Sequence, residues 1–263
     1  MTKIHDLAII DPKAEIDDDV TIGPFCVVGA GVKIARGVHL HSHVCVQGDT
    51  KIGAHTEIFP FASIGGKTQV LSQERPLGTL EIGAHNIIRE YVTMQPGQID
   101  DPAVTIIGDH NLFMASVHVA HDCVVGNHNV MANSVALAGH VTVGNFVTIG
   151  GLTGVHQFCH LGDYCFVGAN GFVTGNIIPF GMVNGPQSIL RGLNIIGMKR
   201  RGFSREDIHT TRALYADLFG REAEGAFGDR LARAQEAFSG QPTAQIVFDF
   251  ILNANDRGFC QGD

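Results

Sequence analysis

A chain of 263 residues is long enough to bury a sizeable core as one large domain, alone or with an appendage. Its 18 Lys and Arg against 26 Asp and Glu give a net charge of −8, which argues against a general nucleic-acid binder. The six cysteines form no Cys-x-x-Cys pair, no signal peptide is evident, and no apolar run approaches the roughly 20 residues that span a bilayer, so the expectation is reduced thiols in a cytoplasmic protein without a transmembrane segment.

The first organising feature along the chain is a six-residue repeat. Every sixth residue from Ile16 is large and aliphatic: Ile16, Ile22, Val28, Ile34, Leu40, Val46, Ile52, Ile58 and Ile64. Two places before each stands a small or β-branched residue, from Ala14, Val20 and Cys26 to Thr56 and Ala62. Residues 66–79 read as a loop that leaves the pattern, which returns in phase at Ile82, Ile88 and Met94. A second loop, 95–104, rich in Pro, Gly and Asp, moves the phase by one. The count then runs unbroken through Ile107, Phe113, Val119, Val125, Met131, Leu137, Val143, Ile149, Val155, Leu161, Val167 and Val173. Cys26, Cys123, Cys159 and Cys165 fall at the smaller repeat position, which assigns them to packing.

A period of six fits neither a helix nor plain strand alternation. It fits short strands joined by tight corners around a narrow prism, a parallel β-helix with three strands per 18-residue coil and coils stacked at about 4.8 Å. A β-sandwich of short strands would not hold a fixed phase, because its turns vary in length. The β-helix is assigned to residues 1–185 and an α-helical C-terminal domain to 186–263. In that tail Ser204 and Asp207 form a capping-box pattern opening a helix over Arg205 to Phe219, closed by Gly220. Leu231 to Phe238 and Thr243 to Asn253 are further predicted helices, placed to cover the open end of the prism. From Gly185 onward ten basic residues face ten acidic ones, against eight and sixteen before it, so the tail is comparatively basic.

The 18-residue coil turns sequence into neighbours. Adding 18 to His121 gives Gly139, beside His140, and adding 36 gives Gln157, beside His156; His118 and Asp122 flank the foot of this column. Three readings are open. The histidines can simply cap corners; three imidazoles can hold a zinc ion with an open position, as in hexapeptide-repeat carbonic anhydrases, although no pair spaced by four accompanies the column; or one neutral imidazole, oriented by a carboxylate, removes a proton from a hydroxyl or amine.

The segments His118-Val119-Ala120-His121-Asp122-Cys123, Leu137-Ala138-Gly139-His140, Gly154-Val155-His156-Gln157-Phe158 and Lys199-Arg200-Arg201-Gly202-Phe203-Ser204-Arg205 closely resemble the UDP-N-acetylglucosamine O-acyltransferases of lipid A synthesis, over nearly the whole chain. The resemblance implies left-handed coils, although parallel crossovers are otherwise right-handed in about 98% of cases. It also implies a homotrimer with sites between subunits, no cofactor or metal, and transfer of a 3-hydroxyacyl group from acyl carrier protein to the sugar 3-hydroxyl. By position, His121 is then the general base, Asp122 its support and Gly139 the oxyanion donor. Gln69, His118, His140, His156, Gln157, Asn194, Arg200 and Arg201 match substrate-lining positions, and Ala169 the position that limits acyl length. Lys199, Arg200, Arg201 and Arg205 form a basic cluster suited to an acidic carrier protein. The chain departs from the family pattern at Val70 and Ser72, at Gln95-Pro96-Gly97-Gln98 and at Ile196. Those departures keep a 3-amino sugar or another nucleotide sugar open as the acceptor.

Overall fold

The computed structural model describes residues 1–71, 77–98, 103–220 and 223–262. Among the described residues, three sheets of 11, 9 and 8 strands wrap a single prism; all pairings are parallel except the last in the 11-stranded sheet, and most strands span only two positions. Partners in the regular part are separated by one full coil of the repeat, as in Ile106 with Val124, Val130 with Thr148 and Ala136 with Gly154. Both repeat positions point inward: Val117, Val119, Cys123, Val125, Val135 and Leu137 are all essentially inaccessible. The cysteines are free, and burial pushes the Cys123 thiol up to about 12, so packing is their role.

Most corners contain a residue with left-handed backbone, and many of these are not glycine: Asp122, His140 and Phe158 have φ of 56°, 60° and 65°. L residues adopt this conformation at a cost. Coil-to-coil stacking of the same residues offsets it. At the corner between the third and first sheets the rings of His85, His110, His128, Phe146, Tyr164 and Phe180 form one column with centroids 4.7 to 5.2 Å apart.

The two loops explain the phase of the repeat. Asp49 pairs with Thr79, and 79 − 49 = 30 exceeds one coil by 12. Twelve is two hexads, so the phase survives. Thr79 pairs with Val104, and 104 − 79 = 25 exceeds one coil by seven, so the phase moves by one. Thr79 and Val104, expected to be loop residues, are instead the first residues of strands Thr79–Ile82 and Val104–Ile107.

The coil is longer than the unbroken phase indicates at both ends. Ile4 pairs with Ile22 and Ile10 with Val28, two hexads before Ile16. Beyond Val173 the pattern does not end but shortens: Leu161 meets Ile177 and Val167 meets Val183, each pair two positions short of a full coil. That contraction of the coil is why the period fades there.

A buried asparagine ladder holds one corner. Asn86 Oδ1 accepts the Asn111 N–H at 2.9 Å, Asn111 Oδ1 that of Asn129 at 2.8 Å, and Asn129 Oδ1 that of Val147 at 2.7 Å, while each Asn Nδ2 donates to a glycine carbonyl. Asn111→Ala strands the Asn129 N–H and the Gly126 carbonyl. At about 1–3 kcal/mol for each of these two unsatisfied buried groups, we expect a loss of roughly 2–6 kcal/mol in urea unfolding.

The chain leaves the prism through an antiparallel hairpin, Gly181–Asn184 with Ile189–Leu193, and the expected boundary near residue 185 falls in its turn. Among the described residues four helices follow: α1 (Ile195–Arg200), α2 (Arg205–Phe219), α3 (Phe227–Ala237) and α4 (Pro242–Leu252). The hairpin and α1 have no counterpart among the elements expected from sequence. α2 has the expected limits, and its Ser204–Asp207 capping box is formed at 3.0 and 2.8 Å. α3 starts earlier than Leu231, at Phe227, and α4 at Pro242, which suits a first helical turn because proline has no N–H to leave unpaired. Met198, Leu214, Leu218, Val247 and Phe248 pack with Phe180 in a second core. The final segment returns to the prism, where Asn176 donates to the Gly258 carbonyl and accepts from the Cys260 N–H, pairing the exposed strand end. Among the described residues no helix is long and apolar enough to cross a membrane.

Candidate active site

His121 lies at the corner that joins the second sheet to the third, after strand His118–Val119 and before Val124–Val125. Both loops leave from this same corner, because Ile64, Met94 and Val119 are successive partners in the second sheet. The corner is therefore overhung by chain at the coils beneath His121.

Asp122 Oδ2 sits 2.8 Å from His121 Nδ1, and its Oδ1 accepts the Gln98 N–H at 3.0 Å. The carboxylate side chain is 1% exposed and the imidazole 14%. A carboxylate is an acceptor only, so the contact places the proton on Nδ1 and leaves a lone pair on Nε2. The tether to the second loop fixes the carboxylate, and the carboxylate fixes the ring. Above them, a Cβ built on Gly139 would stand 2.6 Å from His121 Cε1 and 2.7 Å from Nε2, so only glycine fits against the ring. No main-chain carbonyl among the described residues accepts the Gly139 N–H. In the neutral imidazole, Nε2 is thus the nitrogen free to accept a proton, close to an N–H donor that no described main-chain carbonyl engages.

The His140 ring meets His121 edge-on at 5.2 Å and stacks on Phe158 at 4.6 Å, with Nε2 4.0 Å from Asp122 Oδ2. His140 N donates to the His121 carbonyl and Phe158 N to that of Gly139, which ties the three tiers together. His118 projects from the adjoining strand, where its Nδ1 lies 2.7 Å from Thr93 Oγ1. Burial, with the neighbouring His121 adding to it, holds its pKa below the usual imidazole range. Gln157 is exposed on the third tier, and His156 Nδ1 accepts from the Arg257 guanidinium of the C-terminal segment. Gln69 is exposed in the first loop, beside buried Thr68.

The remaining predicted residues lie on other edges. Ala169 is at the corner between the first and second sheets, with its backbone against Gly150. Asn194, Arg200 and Arg201 flank a cleft of about 490 Å³ at the corner between the third and first sheets, lined also by Phe146, Tyr164 and Met182. Asn194 caps α1 by accepting from Gly197 N at 2.9 Å and holds the Tyr164 carbonyl at 2.9 Å, while Arg201 lies 4.5 Å over the Phe146 ring. Lys199, Arg200, Arg201 and Arg205 are all exposed. The expected site residues of one chain are therefore divided among different edges of its prism.

Residues 13–48 match the model for the bacterial transferase hexapeptide, six repeats, and residues 176–260 match that for the second domain of Udp N-acetylglucosamine O-acyltransferase. The acyl-[acyl-carrier-protein]--UDP-N-acetylglucosamine O-acyltransferase of Rhizobium johnstonii is 44% identical, with 98% of this chain and 96% of that protein covered. The chain belongs to the UDP-N-acetylglucosamine O-acyltransferase family. The Thermodesulfovibrio yellowstonii protein of the same name is 42% identical over 99% of this chain and 100% of its own. The crystal structure of UDP-N-acetylglucosamine O-acyltransferase (LpxA) from Moraxella catarrhalis superposes with a TM-score of 0.94 at 41% identity, covering 98% of this chain and 99% of that one. The coil is accordingly the left-handed one of this family.

Three residues that the sequence does not single out for the candidate site emerge from its geometry: Thr93 under His118, Gln98 on Asp122 and Arg257 on His156. In the sequence Gln98 stands out only as a departure from the family pattern. The whole Gln95–Gln98 segment is buried, and Gly97 exchanges main-chain bonds with Gly78 and Thr79, so the two loops are joined at their bases. Ser72 lies outside the described residues, and Ile196 is 66% exposed on α1. His121, Asp122 and His140 also bring three metal-ligating groups within 4.8 Å of one another. Both Asp122 oxygens are already engaged by N–H donors or the imidazole, so a metal ion there would have to displace the contacts that orient His121.

Burial depresses the pKa of His118, His160 and His39 alike. Each is favoured neutral in the folded chain, so as pH falls below about 6.5 the unfolded state takes up these protons first. Folding stability is expected to decline from about pH 6.5 downward until the folded-state pKa values are passed. Urea midpoints measured at pH 7.5, 6.5 and 5.5 check the sign; a midpoint that rises over this range of acidification contradicts it.

Proposed function

We propose that this protein moves a 3-hydroxyacyl group from acyl carrier protein to the 3-hydroxyl of UDP-N-acetylglucosamine, the first step of lipid A biosynthesis, in the cytoplasm. The observation that carries the reading is the Asp122-oriented His121 with Gly139 packed against its ring. His121 Nε2 takes the proton of the sugar hydroxyl as its oxygen attacks the thioester carbon. The carbonyl electrons move onto oxygen, which the Gly139 N–H stabilises, and collapse breaks the carbon–sulfur bond. The departing thiolate recovers the proton from the imidazolium, which Asp122 stabilises while remaining ionised. No acyl-enzyme is formed.

A homotrimer accounts for the division of the site residues. The third sheet lies between the His121 edge and the Asn194 edge, and it exposes Ile106 and Val124, apolar side chains unusual on an outer face. With three such sheets turned toward a common axis, Asn194, Arg200 and Arg201 of one subunit stand beside His121 of the next. The exposed Lys199, Arg200, Arg201 and Arg205 then border that site and steer an acidic carrier, so kcat/KM is expected to fall with added salt. Ala169, on the adjoining edge, is the proposed limit on acyl length.

The acceptor is tested by competition. UDP-N-acetylglucosamine, its 3-amino analogue and other UDP sugars are offered together with a series of 3-hydroxyacyl carrier proteins, and products are resolved by mass. The ester of UDP-N-acetylglucosamine should dominate; an amide product in excess would reassign the acceptor, and no product from any of them would remove the acyltransferase reading.

A further inference from the structure

His39, His41 and Glu57 lie on the outer face of the first sheet, away from every residue assigned above. His39 and Glu57 are register partners on adjacent coils, strands His39–Leu40 and Glu57–Ile58. His41, two positions beyond His39, returns to the same face by strand alternation. Glu57 Oε1 is 2.7 Å from His41 Nε2 and 3.9 Å from His39 Nδ1, and one ligand atom from each of the three lies within 4.8 Å of the others. All three side chains are partly exposed, at 42, 30 and 39%.

A surface histidine–carboxylate contact by itself contributes about 0–1 kcal/mol. This one is more ordered than such a contact requires. The His41 ring is stacked between His39 at 4.1 Å and Phe59 at 4.4 Å, and Phe59 is covered in turn by the Arg89 guanidinium at 4.5 Å. Arg89 is engaged by that ring and by Glu90 at 3.0 and 3.1 Å. Two imidazoles and a carboxylate are thus held by rigid strands and stacked rings, open to solvent on one side. Zinc binds nitrogen and carboxylate oxygen at about 2.0–2.2 Å, so tetrahedral ligands stand roughly 3.4 Å apart. The observed separations straddle that value, and a small movement of one side chain equalises them. Burial and the neighbouring His41 hold His39 below the usual imidazole pKa, toward the neutral form that ligates.

We propose that His39, His41 and Glu57 form a binding site for a divalent transition metal of the zinc class, with the fourth position open to water. Two imidazoles and one carboxylate favour zinc-like ions over magnesium or calcium, which take all-oxygen sets. The ion joins two successive coils of the N-terminal half. The His39 strand is three coils from that of Leu112, which shares a coil with His118, a distance of about 14 Å at the strand spacing. The site is therefore separate from the transfer chemistry.

Crystals of the full-length protein soaked in zinc chloride should show an anomalous peak at the zinc edge between the three side chains. In solution, titration of the metal-free protein with zinc should lose one equivalent in His41→Ala and in Glu57→Gln, or weaken it by more than about 100-fold, beyond the effect typical of losing a merely supporting partner. Zinc should also raise the melting temperature of the parent protein and not of these variants, because a ligand that binds only the folded state stabilises it by mass action. Acyl transfer should be unchanged in both. No anomalous density at the triad, or zinc affinity and melting shift indifferent to both substitutions, overturns the proposal; the soaked parent crystal decides even if a variant fails to fold.

Discussion

His121→Ala is expected to lower kcat for acyl transfer by about 10²–10⁴-fold, the range over which a positioned general base acts, with little change in KM or melting temperature. The imidazole is oriented by Asp122 through Nδ1 and contributes its Nε2 lone pair to the site, not to the core. Its removal leaves a cavity at a corner open to solvent, where water can fill the space, so the prism has no reason to unfold. Circular dichroism and thermal melting separate this outcome from a structural one. A variant that melts normally and retains parental kcat would show that the proton leaves the acceptor by another route.

Gly139→Ala is expected to be nearly as damaging, by about 10²–10³ in kcat, although it adds a single methyl group. The new Cβ would stand 2.6 to 2.7 Å from the His121 ring, and a real carbon does not approach so closely. The ring must rotate away, breaking its alignment with Asp122, or the corner must shift and move the Gly139 N–H from the developing oxyanion. Both consequences fall on the transition state, so kcat should drop more than substrate affinity. Measuring single-turnover rates together with acyl-carrier binding distinguishes this from lost binding, and parental rates in the alanine variant would exclude Gly139 from the site.

Much of the site was legible because the repeat converts sequence distance into spatial distance. With a coil of fixed length, Gly139 had to lie over His121, and the rings of His140 and Phe158 over Asp122 follow by the same arithmetic. The loops were legible as interruptions for the same reason, one preserving the phase with two extra hexads and the other moving it with a hexad and one position more. What the period cannot reach is whatever leaves the lattice. The Gln98 N–H on Asp122 depends on how an aperiodic loop folds back, and a segment conspicuous only for what it lacks proves to anchor the carboxylate. Arg257 meets His156 from far along the chain, with no motif to announce it. α1 has six residues, too few for a hydrophobic period to register, and its cap depends on Asn194 reaching the Tyr164 carbonyl. The last coil escapes the pattern because it is two positions shorter than the regular ones.

The proposed role of His121 is to deprotonate the acceptor of an acyl transfer onto UDP-N-acetylglucosamine. Its most direct test is one mass-spectrometric assay in which parent protein and His121→Ala are each incubated with 3-hydroxyacyl carrier protein and UDP-N-acetylglucosamine, with fragmentation to locate the acyl group. A mono-acylated nucleotide sugar substituted at the 3-position is expected with the parent protein and at least about 10²-fold less with the variant; absence of that product with the parent, or its undiminished formation by the variant, would rule out acyl transfer through His121.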